Sequence, residues 1–145
     1  MKIALEKLHP QAVLPRYATP NSAGADLCAL LQEDSIMIEA GETKLLHTGI
    51  AVAIPEGYVG LICARSGLSV KEGLAPANKV GVIDADYRGE LMVALHNHSQ
   101  VARKVTQGQR IAQLLIMPVV QGEVTEVSSL SSTRRGEGGF GSTGK

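Results

Sequence analysis

Two carboxylates, a tyrosine and an arginine lie within five residues, in the stretch Asp84-Ala85-Asp86-Tyr87-Arg88. A carboxylate can act as a general base, while a phenol ring and a guanidinium can contact the flat and the anionic parts of a ligand. Gly81 and Gly89 bound the stretch and favour a tight turn that would hold these groups at fixed spacing. Asp and Gly are also common in ordinary solvated turns, so this stretch by itself indicates a candidate site without fixing its chemistry.

The residues around this turn predict two β-strands that pair as a hairpin. A β-branched run precedes the turn, and after it Leu91, Val93 and Leu95 alternate with Met92 and Ala94. This two-residue period places the larger aliphatic side chains on one face of a strand. A rigid ladder of this kind would aim the polar turn at a ligand.

The rest of the chain predicts an all-β fold, a jelly-roll-like distorted β-barrel or sandwich with one short helix. Prolines exclude a long helix from residues 1–20, and short strand patterns separated by Gly and Pro follow from Ile36 to Cys63. The exception is a short helix that Ser66 is expected to cap and Gly73 to terminate. With Arg65 beside it, this helix start is either an anion site or a simple capped turn.

Three polar residues interrupt small or apolar segments. Asp26 follows Ala23-Gly24-Ala25 and is either a turn cap, which the local sequence favours, or a buried charge with a partner. Arg110 and Gln113 lie in the apolar run that ends at Pro118. Because an unpaired buried polar group costs about 1–3 kcal/mol, both are candidates for a polar network or a ligand contact.

A change of composition predicts a folded domain over residues 1–127 and a flexible arm over residues 128–145. The arm is rich in Gly and Ser and contains arginines and hydroxyls that suit a polyphosphate. Phe140 is an aromatic residue within it, able to close over a flat ring.

The overall composition argues against several classes of protein function. Fourteen basic and fourteen acidic residues cancel, so no global field would attract nucleic acid or an anionic membrane. No hydrophobic stretch reaches spanning length and the N-terminus does not resemble a signal peptide, so we expect a cytoplasmic protein. Cys28 and Cys63 are expected to be buried thiols, and metal binding by His96 and His98 is not expected because no further ligands lie nearby.

Five separated segments, in order, resemble the five motifs of the trimeric dUTP pyrophosphatases (dUTPases). These segments are Ala23–Leu27, Arg65–Leu68, Gly81–Gly89, Gly108–Gln113 and Arg135–Gly144. The resemblance implies a homotrimer with active sites shared between subunits, and hydrolysis of dUTP to dUMP and pyrophosphate. That reaction limits uracil incorporation into DNA and supplies dUMP for thymidylate synthesis. It also implies Mg²⁺ held mainly through the substrate phosphates and water, and an arm that closes over a neighbouring subunit's site.

The resemblance also implies roles for individual residues. Asp84 resembles the base that activates water for attack on the α-phosphorus, and Tyr87 the residue that packs on deoxyribose and excludes a 2′-hydroxyl. The positions that resemble uracil contacts are Asn78, Gly81, Val82, Ile83 and Met92. Those that resemble phosphate contacts are Arg65, Ser66, Gly67 and Gln113. In the arm, Phe140 would stack on uracil, and the other substrate-binding positions are Arg135, Gly141, Ser142 and Thr143. Asp26, Asp86 and Arg110 resemble structural or supporting positions.

Three alternatives stay open. A dCTP deaminase would share the fold but need an acid/base Glu near the pyrimidine and a different continuation after Arg65-Ser66, where Gly67-Leu68 stands here. A non-catalytic nucleotide sensor would have no need of Asp84, Tyr87 and Phe140 together. A generic β-sandwich module gives no reason for five polar clusters to occur in this order.

Overall fold

A computed structural model of the chain describes residues 1–139, which form twelve short strands and one helical turn. The strands are β1 (Ala4–Lys7), β2 (Arg16–Tyr17), β3 (Ala25–Cys28), β4 (Ser35–Ile38), β5 (Thr43–Leu46), β6 (Ile50–Ala53), β7 (Tyr58–Cys63), β8 (Leu74–Pro76), β9 (Val80–Ile83), β10 (Val93–Asn97), β11 (Arg103–Thr106) and β12 (Arg110–Pro118). The helical turn, Leu68–Glu72, lies between β7 and β8. The predicted all-β, jelly-roll-like fold class is confirmed.

All strand pairs are antiparallel and form four small sheets. The largest has the order β2-β3-β12-β7-β9, and a three-stranded sheet has the order β5-β10-β8. Two further pairs are β1-β6 and β11-β4. Strand β9 therefore lies at an edge of the five-stranded sheet, whereas β12 lies at its centre.

Alternating side chains from these sheets form one hydrophobic core. Leu91, Val93 and Leu95 are at most 1% exposed, while Met92 between them is 38% exposed. The predicted two-residue period after residue 90 is thus confirmed. Leu27, Ile38, Ile50, Leu74, Val105 and Ile111 join the same core from other strands.

The predicted hairpin is wrong, because its two strands pair with other partners. β9 pairs with β7, with Ile83 opposite Gly60, and β10 pairs with β5 and β8. The segment 84–92 between them crosses from one sheet to the other, and Leu91 N–H donates to Ile50 O at 2.8 Å along the way. Apolar alternation specifies a strand and its buried face, but it does not specify the neighbouring strand.

The short helix is present, but Ser66 does not cap it. Ser66 and Gly67, which precede this turn, are themselves helical, with φ and ψ of −61° and −42° at Gly67, and no side chain caps the start. A backbone bond from Ser69 N–H to Arg65 O, at 2.9 Å, supports the start instead. Gly73 ends the turn with φ 72° and ψ 23°, a left-handed conformation that glycine adopts at no steric cost.

One fully buried polar side chain, Asn97, ties β10 to the chain leading into β11. Its Nδ2 donates to Ile38 O at 2.9 Å and to Val101 O at 2.8 Å, while its Oδ1 accepts from Ser99 N–H at 3.0 Å and from Ser99 Oγ at 2.7 Å. Every polar atom of this buried amide is therefore paired, which is the condition for burying it without penalty.

Beyond β12 the chain changes character. Residues 119–139 contain no strand or helix, and nearly all of them are exposed. Within residues 1–139, no helix is long and apolar enough to cross a membrane.

Candidate active site

Seven of the predicted site residues line one cavity of about 310 Å³, here called the β9 cavity. They come from the turn before β9, from β9 itself and from the segment 84–92, which crosses from one sheet to the other. The seven are Asn78, Gly81, Val82, Ile83, Asp84, Tyr87 and Met92. The structure thus brings together the residues expected to contact the base, the sugar and the attacking water.

A tight turn before β9 positions Asn78. Lys79 has a φ of 66°, in the left-handed region, and its N–H donates to Pro76 O at 3.0 Å. The Asn78 side chain is exposed to the cavity, and even a Cβ on Gly81 would lie at an ordinary contact distance, 3.4 Å, from its Nδ2. Asn78 can therefore offer both a donor and an acceptor to the edge of a flat ring in the cavity.

Asp84 and Tyr87 lie on the turn that follows β9. Tyr87 N–H donates to Asp84 O at 3.2 Å, and the Tyr87 hydroxyl donates to Glu90 O at 3.0 Å. The Asp84 side chain is exposed in the single chain, and Tyr87 is 40% exposed. A carboxylate free to accept a proton thus stands in the same cavity as an aromatic ring anchored at its hydroxyl.

Gly89 and Arg88 shape the same turn. A Cβ on Gly89 would lie 2.6 Å from Tyr87 Cζ and 2.9 Å from Cε2, so only glycine allows the ring to occupy its position. Arg88 Nη1 donates to Ala85 O at 2.6 Å and to Tyr87 O at 2.9 Å. Arg88 therefore braces the turn through backbone carbonyls. Asp86, predicted to have a structural or supporting role, lies outside the β9 cavity and lines an adjacent one that Asp84 also lines.

The predicted phosphate-contacting residues lie elsewhere in the chain. Arg65 and Gly67 line a second cavity of about 530 Å³, here called the arginine cavity, together with Lys71 and Arg110. Glu72 is the acidic residue among its lining side chains. Three cations against one anion make this cavity suited to a polyanionic ligand.

Asp26 organises the arginine cavity. Its Oδ1 accepts from Arg65 Nε at 2.8 Å, and its Oδ2 accepts from Arg110 Nη1 at 2.9 Å. Asp26 lies on strand β3, so the turn-cap interpretation is wrong and the paired-charge interpretation is correct. The carboxylate fixes the direction of two guanidinium groups, and Arg110 joins a polar network as predicted.

Gln113 is held in the centre of the largest sheet. Its Nε2 donates to Ala64 O at 2.8 Å, and a Cβ on Gly24 would lie 3.0 Å from the Gln113 Cβ and Cδ atoms. The absence of a side chain at Gly24 therefore makes room for Gln113. This explains one of the small residues around Asp26, and the Gln113 amide has a backbone partner in Ala64 O.

The remaining predicted residues are only partly described. Ser66 is exposed beside the arginine cavity, and Arg135 Nε donates to Gly138 O at 2.7 Å. Phe140, Gly141, Ser142 and Thr143 lie outside the described residues, so their predicted contacts remain predictions.

The β9 cavity and the arginine cavity share no lining residue within the part of the chain that the structure describes. Apolar side chains at the β9 cavity are also exposed: Leu45 is 58% exposed, Val82 is 61% exposed and Met92 is 38% exposed. Within the described chain, the two groups of predicted residues therefore line separate cavities, one partly apolar and the other cationic.

Sequence reasoning missed one polar cluster at the β9 cavity. Burial alone would raise the pKa of Glu90, but hydrogen bonds from His47 and from the Gly49 and Thr48 N–H groups, together with the His47 charge, lower it below its ordinary value. More than forty residues separate Glu90 from these donors, so no local pattern could have revealed the cluster.

The two cysteines are free and half-buried, where fully buried thiols were expected. Burial raises the pKa of the Cys28 thiol, and the neighbouring Asp26 carboxylate adds to this. Among the described residues, no group of three or more His, Cys, Asp or Glu side chains is placed to hold a metal ion. A metal held by such a protein cage therefore does not fit residues 1–139, whereas one held by ligand phosphates and water needs no cage.

A family model and the relatives found by sequence comparison point to the same protein family. A family model described as dUTPase matches residues 11–144. The deoxyuridine 5′-triphosphate nucleotidohydrolase of Nautilia profundicola is 48% identical over 145 residues, which is 100% of both chains. The protein of the same name from Hydrogenobaculum sp. is 46% identical over 144 residues, 99% of each chain.

Solved structures agree with the sequence relatives. The G164S mutant of Staphylococcus bacteriophage 80alpha dUTPase with dUpNHpp has a TM-score of 0.90 and 30% identity, covering 99% of both chains. The dUTPase from phage phi11 of S. aureus has a TM-score of 0.82 and 27% identity, covering 92% of this chain and 100% of that one.

Proposed function

The chain belongs to the dUTPase family, and we propose that it hydrolyses dUTP to dUMP and pyrophosphate. The observation that carries the proposal is the β9 cavity, where Asn78, Asp84 and Tyr87 lie together. An amide, a carboxylate and an anchored aromatic ring match the needs of a pyrimidine edge, an attacking water and a sugar.

Asp84 is the general base in this proposal. Its carboxylate accepts a proton from a water molecule, and the water oxygen bonds to the α-phosphorus. The bond from the α-phosphorus to its bridging oxygen breaks, and pyrophosphate leaves with that oxygen. The exposed carboxylate at the cavity supports this role because a water molecule can reach it.

Tyr87 and Asn78 select the nucleoside. The Tyr87 ring, fixed by Glu90 O and packed over Gly89, forms a wall against the deoxyribose that a 2′-hydroxyl would meet. Asn78 and the backbone of Gly81, Val82 and Ile83 present donors and acceptors to uracil, with Met92 beside them. Groups fixed to pair with uracil are left unpaired by cytosine, which disfavours dCTP.

Arg65, Ser66, Gly67 and Gln113 bind the phosphates, with Asp26 and Arg110 supporting Arg65. The cationic lining of the arginine cavity, which includes Arg65 and Gly67, supports this assignment for those two residues. Mg²⁺, when bound, neutralises charge on the triphosphate and is held mainly through phosphate oxygens and water.

We propose that the complete site forms in a homotrimer. Within one chain the nucleoside and phosphate residues line separate cavities, and exposed apolar side chains surround the first of them. An assembly in which another copy covers Val82 and Leu45 and places its own arginine cavity beside the β9 cavity would unite the two sets of residues. Size-exclusion chromatography with light scattering tests this: about three chain masses support it, and a monomer that is fully active contradicts it.

Residues 128–145 form the closing arm in this proposal. Phe140 stacks on uracil, while Arg135, Gly141, Ser142 and Thr143 contact the substrate from a neighbouring subunit. The absence of strand or helix from residues 119–139 and their exposure support a segment that does not belong to the core. Phe140→Ala should raise KM for dUTP by about tenfold, since stacking on a base is worth on the order of 1–3 kcal/mol.

The deciding experiment measures pyrophosphate release from dUTP, dCTP, dTTP and UTP, with and without Mg²⁺, for the wild type and Asp84→Asn. We expect release from dUTP alone and a loss of roughly 100-fold or more in kcat for the variant, with dUTP binding retained. Asp34→Asn, an exposed carboxylate outside both cavities, is the matched control. Ammonia release from dCTP would instead identify a deaminase, and binding of dUTP without hydrolysis by the wild type would identify a nucleotide sensor.

A further inference from the structure

The Glu90 side chain is fixed from three directions by the loop between β5 and β6. His47 Nδ1 donates to Glu90 Oε2 at 2.8 Å, and the N–H groups of Thr48 and Gly49 donate to Oε1 at 3.1 and 2.7 Å. Hydrogen bonds to a charged acceptor are stronger than neutral ones. The carboxylate therefore anchors the crossing segment 84–92 to a loop more than forty residues earlier.

The main chain beside Glu90 is fixed as well. Glu90 forms an isolated antiparallel bridge with Ala51, and Leu91 N–H donates to Ile50 O at 2.8 Å. Thr48, which is 1% exposed, donates from Oγ1 to Leu91 O at 2.6 Å. The peptide that follows Tyr87 by three residues is thus held against β6 by both backbone and side-chain bonds.

This fixed peptide supplies the acceptor for Tyr87. The Tyr87 hydroxyl donates to Glu90 O at 3.0 Å, and the ring rests over Gly89, which has no side chain to push it away. Because the ring is 40% exposed, little core packing restrains it. The Tyr87 ring can exclude a 2′-hydroxyl only if it keeps its position when the hydroxyl approaches. Restraint of the ring through Glu90 therefore affects the choice between a deoxyribose and a ribose.

We propose that Glu90, held by His47, Thr48 and Gly49, is a positioning residue that sets the place of the Tyr87 ring and thereby the preference for dUTP over UTP. This inference rests on the proposed function, because it takes Tyr87 to be the residue against the deoxyribose. It assigns no contact with substrate to Glu90.

The test compares kcat and KM for dUTP and UTP in the wild type and in Glu90→Ala, Glu90→Gln and Glu42→Ala. We take the restraint that the Glu90 side chain places on the Tyr87 ring to be worth about one net hydrogen bond. Glu90→Ala is then expected to lower the ratio of kcat/KM for dUTP to kcat/KM for UTP roughly three- to tenfold. The change should arise in KM for dUTP and in turnover of UTP more than in kcat for dUTP. Glu90→Gln should keep most of the ratio, since its amide oxygen can still accept from Gly49 and Thr48.

Glu42→Ala is the matched control, because its carboxylate also accepts from a backbone N–H, that of Glu39 at 2.7 Å, but outside both cavities. It should leave the ratio unchanged. A double-mutant cycle with Tyr87→Phe tests whether Glu90 acts through the Tyr87 hydroxyl. If it does, the double variant loses less of the dUTP-to-UTP preference, as a free energy, than the sum of the two single variants.

A folded Glu90→Ala protein with the wild-type ratio overturns the inference, as does strict additivity with Tyr87→Phe. If Glu90→Ala does not fold, His47→Ala replaces it, since the His47 side chain is exposed and two of the three bonds to Glu90 remain. We expect that variant to lower the ratio about twofold, and an unchanged ratio overturns the inference. A wild-type protein that does not hydrolyse dUTP refutes the proposed function instead, before any variant is compared.

Discussion

Asp26 and Arg65 meet across strand β12, with Asp26 Oδ1 accepting from Arg65 Nε at 2.8 Å. Strands β3 and β7 flank β12 in the sheet. Asp26 lies on β3, and Arg65 lies two residues beyond the end of β7. Gln113 of β12 is in register with Asp26 on one side and with Cys63 on the other. The ion pair therefore joins β3 to the segment after β7 across β12, beside the arginine cavity that Arg65 lines.

Asp26→Asn should weaken both the fold and phosphate binding. Asn can accept from one guanidinium but carries no charge, so Arg65 and Arg110 lose their shared anion. Because the Asp26 and Arg65 side chains are 16% and 26% exposed, water moderates the cost, and we expect a loss of about 1–3 kcal/mol in the free energy of unfolding. Urea unfolding and KM for dUTP measure the two effects. Asp34→Asn is the exposed control, and an unchanged KM for Asp26→Asn would contradict the prediction.

Gly89→Ala should displace the Tyr87 ring. The new Cβ would lie 2.6 Å from Tyr87 Cζ, closer than atoms can approach, so the ring must move from its hydrogen bond with Glu90 O. We expect kcat/KM for dUTP to fall by roughly tenfold or more, because small misplacements of substrate-positioning groups are costly. Steady-state kinetics check this. Gly122→Ala, where no atom lies within 4 Å of the new Cβ, should behave as wild type.

Asn97→Asp should destabilise the core strongly. The residue is 0% exposed, and its Nδ2 donates to two carbonyl oxygens that a carboxylate would face without a proton to share. A buried charge left unpaired costs about 3–5 kcal/mol, so we expect a loss of that order in urea unfolding at neutral pH. Asn21→Asp makes the same change at an exposed position and should have little effect. Equal stability of the two variants would show that the Asn97 donors are dispensable.

Acid should remove part of the stability that Glu90 provides. Burial opposes ionisation of Glu90, but hydrogen bonds from His47, Gly49 and Thr48 outweigh it and lower its pKa below the ordinary value of 4.5. A group with a lowered folded-state pKa contributes stability above its unfolded-state pKa and loses it as the pH falls through the folded-state value. The stability difference between wild type and Glu90→Gln should thus be largest above about pH 5 and shrink below pH 4.5. Urea unfolding across this pH range tests the prediction, with Glu33→Gln as a control for net charge. A difference in the free energy of unfolding that does not change with pH would contradict the prediction.

The fold class and most residue types of the candidate site could be predicted from local patterns in the chain. Alternation after residue 90 identified the buried face of β10, because a strand exposes successive side chains on opposite faces whatever its partner. Gly73 identified the end of the short helix because its left-handed backbone, with φ of 72°, favours glycine. The seven predicted residues that line the β9 cavity lie between positions 78 and 92, while Leu45 and Ile62 line it from distant strands.

Which elements contact one another could not be predicted from local patterns and follows from long-range packing. β9 and β10 are neighbours in sequence but lie in different sheets, since pairing depends on strands contributed by distant segments. Asp26 was ambiguous for the same reason, because its two arginines lie 39 and 84 residues away. Glu90 carried no recognisable signal, as its partners are the side chain of His47 and two backbone N–H groups that any residue could provide. Local patterns fix the direction of a side chain relative to its own strand, whereas hydrogen-bond partners depend on where the fold places the other strands.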